Sequence, residues 1–158
     1  MKRYSVEIKW GIIFIVAQIC WMIFEKAMGW HDELIAKQAI YTNFFAIIAI
    51  GIYLLELYEK RKKIFMGHMN WQQGFVSGII LTAVITILTP FAQYIITQFI
   101  TPEYFDNIIS YSVKNGRMSQ ENAEALFNLK SYVVQATFGA LGYGVVTAAI
   151  AALIMKRK

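Results

Sequence analysis

Glu25, His31 and Asp32 are the residues whose types and spacing best suit chemistry. A histidine titrates near neutrality and can pass a proton, sense pH or ligate a metal, and this one follows one carboxylate by six positions and directly precedes two more. A catalytic zinc site needs a fuller ligand set, however, and loop residues do not converge on a point merely by being adjacent. The stretch from Glu25 to Glu33 therefore reads as an interfacial loop, with Trp30 at the headgroups and its charges hydrated. No metal and no cofactor is expected. A second charged stretch, Lys60, Arg61, Lys62 and Lys63 with His68 close by, could bind anionic lipid or an acidic partner surface, although a role in fixing orientation explains its charge equally well. No GxSxG, Walker A, Rossmann, HExxH or kinase pattern occurs in the chain, so no enzyme is expected.

Polar residues inside the apolar stretches are few: Gln18, Thr42, Asn43, Thr89, Gln93, Gln135 and Thr137. With the N-terminus inside, Glu25, Asn43, Gln93 and Gln135 fall toward the outer ends of four different helices. Unpaired polar groups in hydrocarbon are costly, so such residues turn inward. They serve either as interhelical hydrogen bonds that fix a bundle or, together with His31 and Asp32, as an outward-facing site for a ligand or lipid headgroup. Small residues recur every four positions at Gly74, Gly78, Thr82 and Thr86, and again at Ala136, Ala140, Gly144, Ala148 and Ala152. Ridges of this kind let helix backbones approach closely. They predict packing of the third span on the fourth, with self-association through one ridge as the sharper alternative.

The elements that carry these residues follow from composition. The chain has 158 residues, 58% hydrophobic and 16% charged, against about 45–50% and about 25% in soluble domains. That balance argues for an all-α integral membrane bundle in one domain, residues 1–158, with spans near 8–27, 38–57, 71–99 and 131–155 and an outer helical loop over 101–130. The first segment begins like a signal peptide, with an Ala27-Met28-Gly29 triplet after it, but Glu25 and Lys26 just before the triplet speak against cleavage. The third segment would reach about 45 Å as a helix, more than a hydrocarbon core of about 30 Å, so it must tilt, bend or project, and Pro90 supplies a cause for a bend. In the outer loop, Thr101 suits an N-cap with Pro102 behind it, Asn115-Gly116 a stop, and Ser119 a second N-cap to a helix continuing into the fourth span. The spacing of Phe105, Ile108, Ile109 and Val113 gives the first of these helices one apolar face, suited either to lying on the outer, periplasmic surface or to capping the bundle.

A net charge of +5 is a feature of nucleic-acid binders, but the basic residues cluster beside apolar runs, so no nucleic acid is expected and membrane lipid is. Lys2, Arg3, Lys9, Lys60 to Lys63 and Lys156 to Lys158 all fall on one side. The other side carries Lys26, Lys37, Lys114, Arg117 and Lys130 among seven acids. The positive-inside rule then puts both termini in the cytoplasm. Trp10, Tyr58 and Trp71 mark the inner belt, and Trp30, Tyr41 and Tyr104 the outer. Cys20, the one cysteine, lies in the first span, so no internal disulfide is possible.

EIKWG at Glu7 to Gly11, WxxxEKxxGWHD from Trp21 to Asp32, IYTNFFAI from Ile40, WxxGFxSG from Trp71, ITP from Ile100 and FNLKSY from Phe127 together resemble the small bacteroidete inner-membrane proteins grouped as domain of unknown function 4199. The resemblance runs over essentially the whole chain. It implies a four-helix integral membrane protein with no assigned activity or catalytic residue, and a polyprenyl-phosphate glycosyltransferase as a possible partner. The resulting expectation is a non-enzymatic accessory or homo-oligomeric subunit of the bacterial inner membrane. The rival is a small transporter or carrier of a lipid-linked substrate.

Overall fold

The computed structural model describes residues 4–157, so Lys2, Arg3 and Lys158, three of the basic residues expected on the inner side, lie outside the described residues. Seven α-helices follow in chain order: α1 (Ser5–Ala27), α2 (Ile35–Tyr41), α3 (Phe45–Lys63), α4 (Trp71–Ile95), α5 (Tyr104–Lys114), α6 (Gln120–Leu126) and α7 (Leu129–Met155). A 3₁₀ turn over Thr42–Phe44 joins α2 to α3, and a π-helical turn over Ile96–Ile100 extends α4. Four helical stretches are long and apolar enough to cross a membrane: Ser5–Ala27, Ile35–Lys63, Trp71–Ile100 and Leu129–Met155. Large apolar side chains cover their outer faces, with Phe138 70% and Tyr143 80% exposed. Such a surface is a liability in water and ordinary in lipid.

Local chemistry sets the ends of these helices. Asn70 and Gln73 form a reciprocal capping box at the start of α4, Gln73 N donating to Asn70 Oδ1 at 2.8 Å and Asn70 N to Gln73 Oε1 at 3.0 Å. Ser119 caps α6, and α5 ends at Asn115 with Gly116 at φ +64°. Two expectations fail here. Thr101 does not cap α5; its hydroxyl donates back to the Ile96 carbonyl, because the π turn leaves that acceptor within reach. Nor does α6 run into α7. Asn128 breaks the helix by donating its amide to Glu124 O and Ala125 O and accepting Ser131 N, which closes one helix and opens the next. Pro90 lies within an uninterrupted α4, and the change of hydrogen-bond pattern comes later, at Ile96.

The small-residue ridges meet each other. A Cβ added to Gly74 would lie 3.1 Å from Ala152 Cβ, one on Gly78 2.6 Å from Ala148 Cβ, and one on Gly144 2.4 Å from Thr82 Cγ2. Each step of four up α4 matches a step of four down α7, so the two helices run antiparallel in near backbone contact. Ala140 packs against the edge of the same core, which is built on Leu57, Leu81 and Ile85. Helix α1 approaches α4 through Gly11, where an added Cβ would meet Val84 Cγ1 at 2.4 Å. At the end of the bundle where α7 closes, Met69 and Arg157 exchange backbone hydrogen bonds, and Arg61 donates to the Met155 carbonyl. The bundle thus holds its helices in fixed register around whatever polar groups face inward.

Candidate functional site

Two buried polar layers lie near opposite ends of α1. At the C-terminal end of α1, Gly29 at φ +72° reverses the chain and returns His31 to Glu25. Glu25 is fully buried and accepts Trp21 Nε1 on Oε1 at 2.5 Å, while His31 Nε2 lies 2.9 Å from its Oε2. A carboxylate can only accept, so Nε2 carries the ring proton and a neutral His31 keeps its lone pair on Nδ1. That Nδ1 is buried without a partner. Asn107 on α5 donates to His31 O and Asp32 Oδ1, clamping the loop from above. Tyr104 presents its ring to His31 at 5.2 Å and its hydroxyl to that of Tyr132 at 3.2 Å. Burial, with Tyr132 alongside, pushes the Tyr104 phenol well above its ordinary range, so it stays neutral. A cavity of about 100 Å³ opens beside this layer, lined by Lys26, His31, Asp32, Thr101, Glu103 and Tyr104 among others.

This arrangement corrects the hydrated-loop expectation. Glu25 and His31 are buried, and Trp30 is buried as well, stacked on Tyr41 at 4.3 Å rather than anchored at headgroups. The four-helix polar site also fails to assemble. Asn43 and Gln135 are exposed and turned onto their own helices, Asn43 donating to Ala39 O and Gln135 to Ser131 Oγ. Gln93 reaches Thr97 Oγ1, one turn along, at 3.4 Å. Helix geometry supplies each amide with a partner one turn away, so no neighbour is needed. Among the described residues, no three His, Cys, Asp or Glu side chains gather as metal ligands.

The second layer, near the N-terminal end of α1, is not legible in the sequence. Glu7 of α1, Glu56 and Lys60 of α3 and Ser77 of α4 are all buried, both carboxylates completely. Lys60 Nζ donates to Glu7 Oε1 at 2.5 Å, and Ser77 Oγ lies 3.0 Å from Glu7 Oε1 and 2.8 Å from Glu56 Oε1. Deeper in the bundle, Thr82 donates to Gly78 O and receives the Tyr53 hydroxyl at 2.7 Å. Nearer the surface, Glu59 collects Lys9, Lys63 and Trp10 Nε1. The supposed basic patch is therefore dispersed: Lys60 points inward, Arg61 ties down α7, Lys62 sits over the Tyr58 ring and Lys63 pairs with Glu59. The available signal was the i, i+4 spacing of Glu56 and Lys60, with Ser77 beside the Gly78 ridge and Glu7 one turn before Gly11.

Glu25→Gln tests the layer around His31. Glutamine offers one acceptor where two donors wait, so one of Trp21 Nε1 and His31 Nε2 faces an N–H, at a cost of about 1–3 kcal/mol. Thermal unfolding in detergent should show that loss with a changed Trp21 emission; an unchanged melt would mean that Glu25 is not the shared acceptor.

An all-α bundle with four helices of membrane-spanning length and composition, enclosing two buried polar layers, fits the class of multi-pass helical membrane proteins. Within that class the chain belongs to the family described as protein of unknown function DUF4199, which it matches over residues 9–157. Comparison with curated proteins and with solved structures finds no match.

Proposed function

We propose that the chain is a non-enzymatic subunit of the bacterial inner membrane with both termini cytoplasmic, serving as a rigid helical platform for a partner membrane protein. The observation that carries this reading is the α4/α7 seam, where Gly78 has no room for even one added carbon beside Ala148. A seam that close favours a body of fixed shape. Because both ridges are spent on it, a partner or second copy would meet the apolar outer faces, where Phe91, Phe138 and Tyr143 are exposed. The Lys and Arg asymmetry supports the orientation. The family resemblance suggests a polyprenyl-phosphate glycosyltransferase as the partner to seek.

The carrier reading draws less support. Small-molecule pockets run from about 300 to 1,000 Å³, whereas the cavity beside His31 is about 100 Å³. Leu57, Leu81 and Ile85 fill the core as buried apolar side chains. Purification from native membrane in mild detergent, followed by mass spectrometry of the intact complex, tests the proposal. A stoichiometric protein partner or a defined homo-oligomer is the expected result. A monomer carrying lipid alone, across several mild detergents, would overturn it.

A further inference from the structure

We infer that Glu7 and Glu56 share one bound proton across the Ser77 hydroxyl, so that their polar layer is a proton-binding site within the bundle. Ser77 Oγ stands within hydrogen-bond distance of a carboxylate oxygen on each side, yet a hydroxyl has one hydrogen to give. The second contact needs a hydrogen from a carboxyl group. Lys60 selects which one. Its ammonium donates to Glu7 Oε1, which keeps Glu7 ionised, so the proton rests on Glu56 and the chain of donors runs Glu56 to Ser77 to Glu7.

The charges around Ser77 also call for one proton. Helix α1 brings Glu7, α3 brings Glu56, Lys60 and Tyr53, and α4 brings Ser77; Ala148, Ala151 and Ala152 of α7 line the adjoining core without a charge. Among the described residues, Lys9, Glu59 and Lys63 form their own cluster closer to the surface, Arg61 donates to the Met155 carbonyl and Lys62 lies over the Tyr58 ring. Two carboxylates facing one ammonium leave an uncompensated anion, which the interior does not tolerate. One proton makes the layer neutral. Independently of that sum, Glu7 Oε2 and Glu56 Oε2 are both buried without a partner, a condition far more costly for two anions than for one anion and one neutral acid.

The site is reversible and links three helices. When the proton leaves Glu56, two anions face each other across Ser77 and push α1 from α3 and α4; when it returns, the contact closes. Proton transfer between the carboxylates balances through Ser77, which gives its hydrogen to Glu7 as it receives that of Glu56. None of this depends on which partner the bundle serves.

Infrared difference spectroscopy on the full chain in lipid, in H₂O and D₂O, reads the proton directly. Wild type at neutral pH should show a protonated-carboxyl band that shifts in D₂O. Glu56→Gln should lose it, and Glu103→Gln, on the exposed loop before α5, should keep it. The melting temperature of wild type should fall as pH rises through release of the proton, whereas Glu56→Gln should lack that fall. Absence of the band, or its persistence in Glu56→Gln, would overturn the inference. A Glu56→Gln chain that cannot fold would also overturn it, since glutamine matches the neutral acid in shape and can donate to Ser77.

Discussion

Lys60→Met is expected to destabilise the bundle by about 3–5 kcal/mol at neutral pH, the usual penalty for stripping one partner from a buried ion pair. Methionine fills much of the space of the lysine stem, so little of the effect is a cavity. The penalty arises because Glu7 Oε1 loses an ammonium at 2.5 Å while remaining wholly buried. The neighbouring exposed pair provides the contrast. Lys63 binds Glu59 from the surface with more than half its side chain exposed, and Lys63→Met should cost less than about 1 kcal/mol. Adding Glu7→Gln to Lys60→Met should restore much of the loss, because the stranded anion is gone. Thermal unfolding of the four proteins in one detergent decides the matter. If Lys60→Met and Lys63→Met behave alike, Lys60 is a surface cation and the layer of Glu7, Glu56 and Ser77 is not dry.

The same contrast shows what the sequence could and could not convey. Four helices of spanning length were legible because about 20 apolar residues in a row have few other uses in a chain this size. Ser119 and the Asn115-Gly116 stop were legible because capping is decided within one turn. The spacing of Gly74, Gly78 and Thr82 against Gly144, Ala148 and Ala152 was legible as two ridges, since small residues at every fourth position mark one helix face. The polar layers were not. Lys60 stands in a run of four cations at a helix end, where orientation explains every charge, and only the convergence of three helices shows that it turns inward while Lys62 and Lys63 turn out. Glu7 and Glu25 sit toward opposite ends of α1, where hydration is the ordinary assumption. Trp30 matched the aromatic-belt pattern, yet its turn folds it onto Tyr41. Asn43 and Gln135 misled in the opposite sense: a polar residue within a span suggests a neighbour, but an acceptor one helical turn away is already enough. Burial is decided by tertiary convergence, and single-helix patterns do not contain it.

Gly78→Leu should be the most damaging substitution on the apolar side of the bundle, at about 3 kcal/mol or more, the upper range for overpacking. The obstacle is backbone as well as side chain: the first added carbon would lie 2.6 Å from Ala148 Cβ and 3.1 Å from Ala148 Cα. Neither atom can swing aside, so α4 and α7 must separate along the seam, and the buried contacts of Leu81 and Ala152 go with it. Gly51→Leu and Gly142→Leu are matched controls, since nothing lies within 4 Å of a Cβ at either position. Both should be neutral or gain up to about 1 kcal/mol from better helix propensity. A milder pair tests the contact itself. Gly78→Ala alone should lower stability, and adding Ala148→Gly should recover part of it, giving a coupling between the two sites that distant positions do not show. Stability in detergent and oligomeric mass must be read together. If Gly78→Leu leaves the melting temperature unchanged but alters the mass of the complex, the ridge on α4 joins separate chains rather than α4 to α7, and the rigid-platform reading loses its main support.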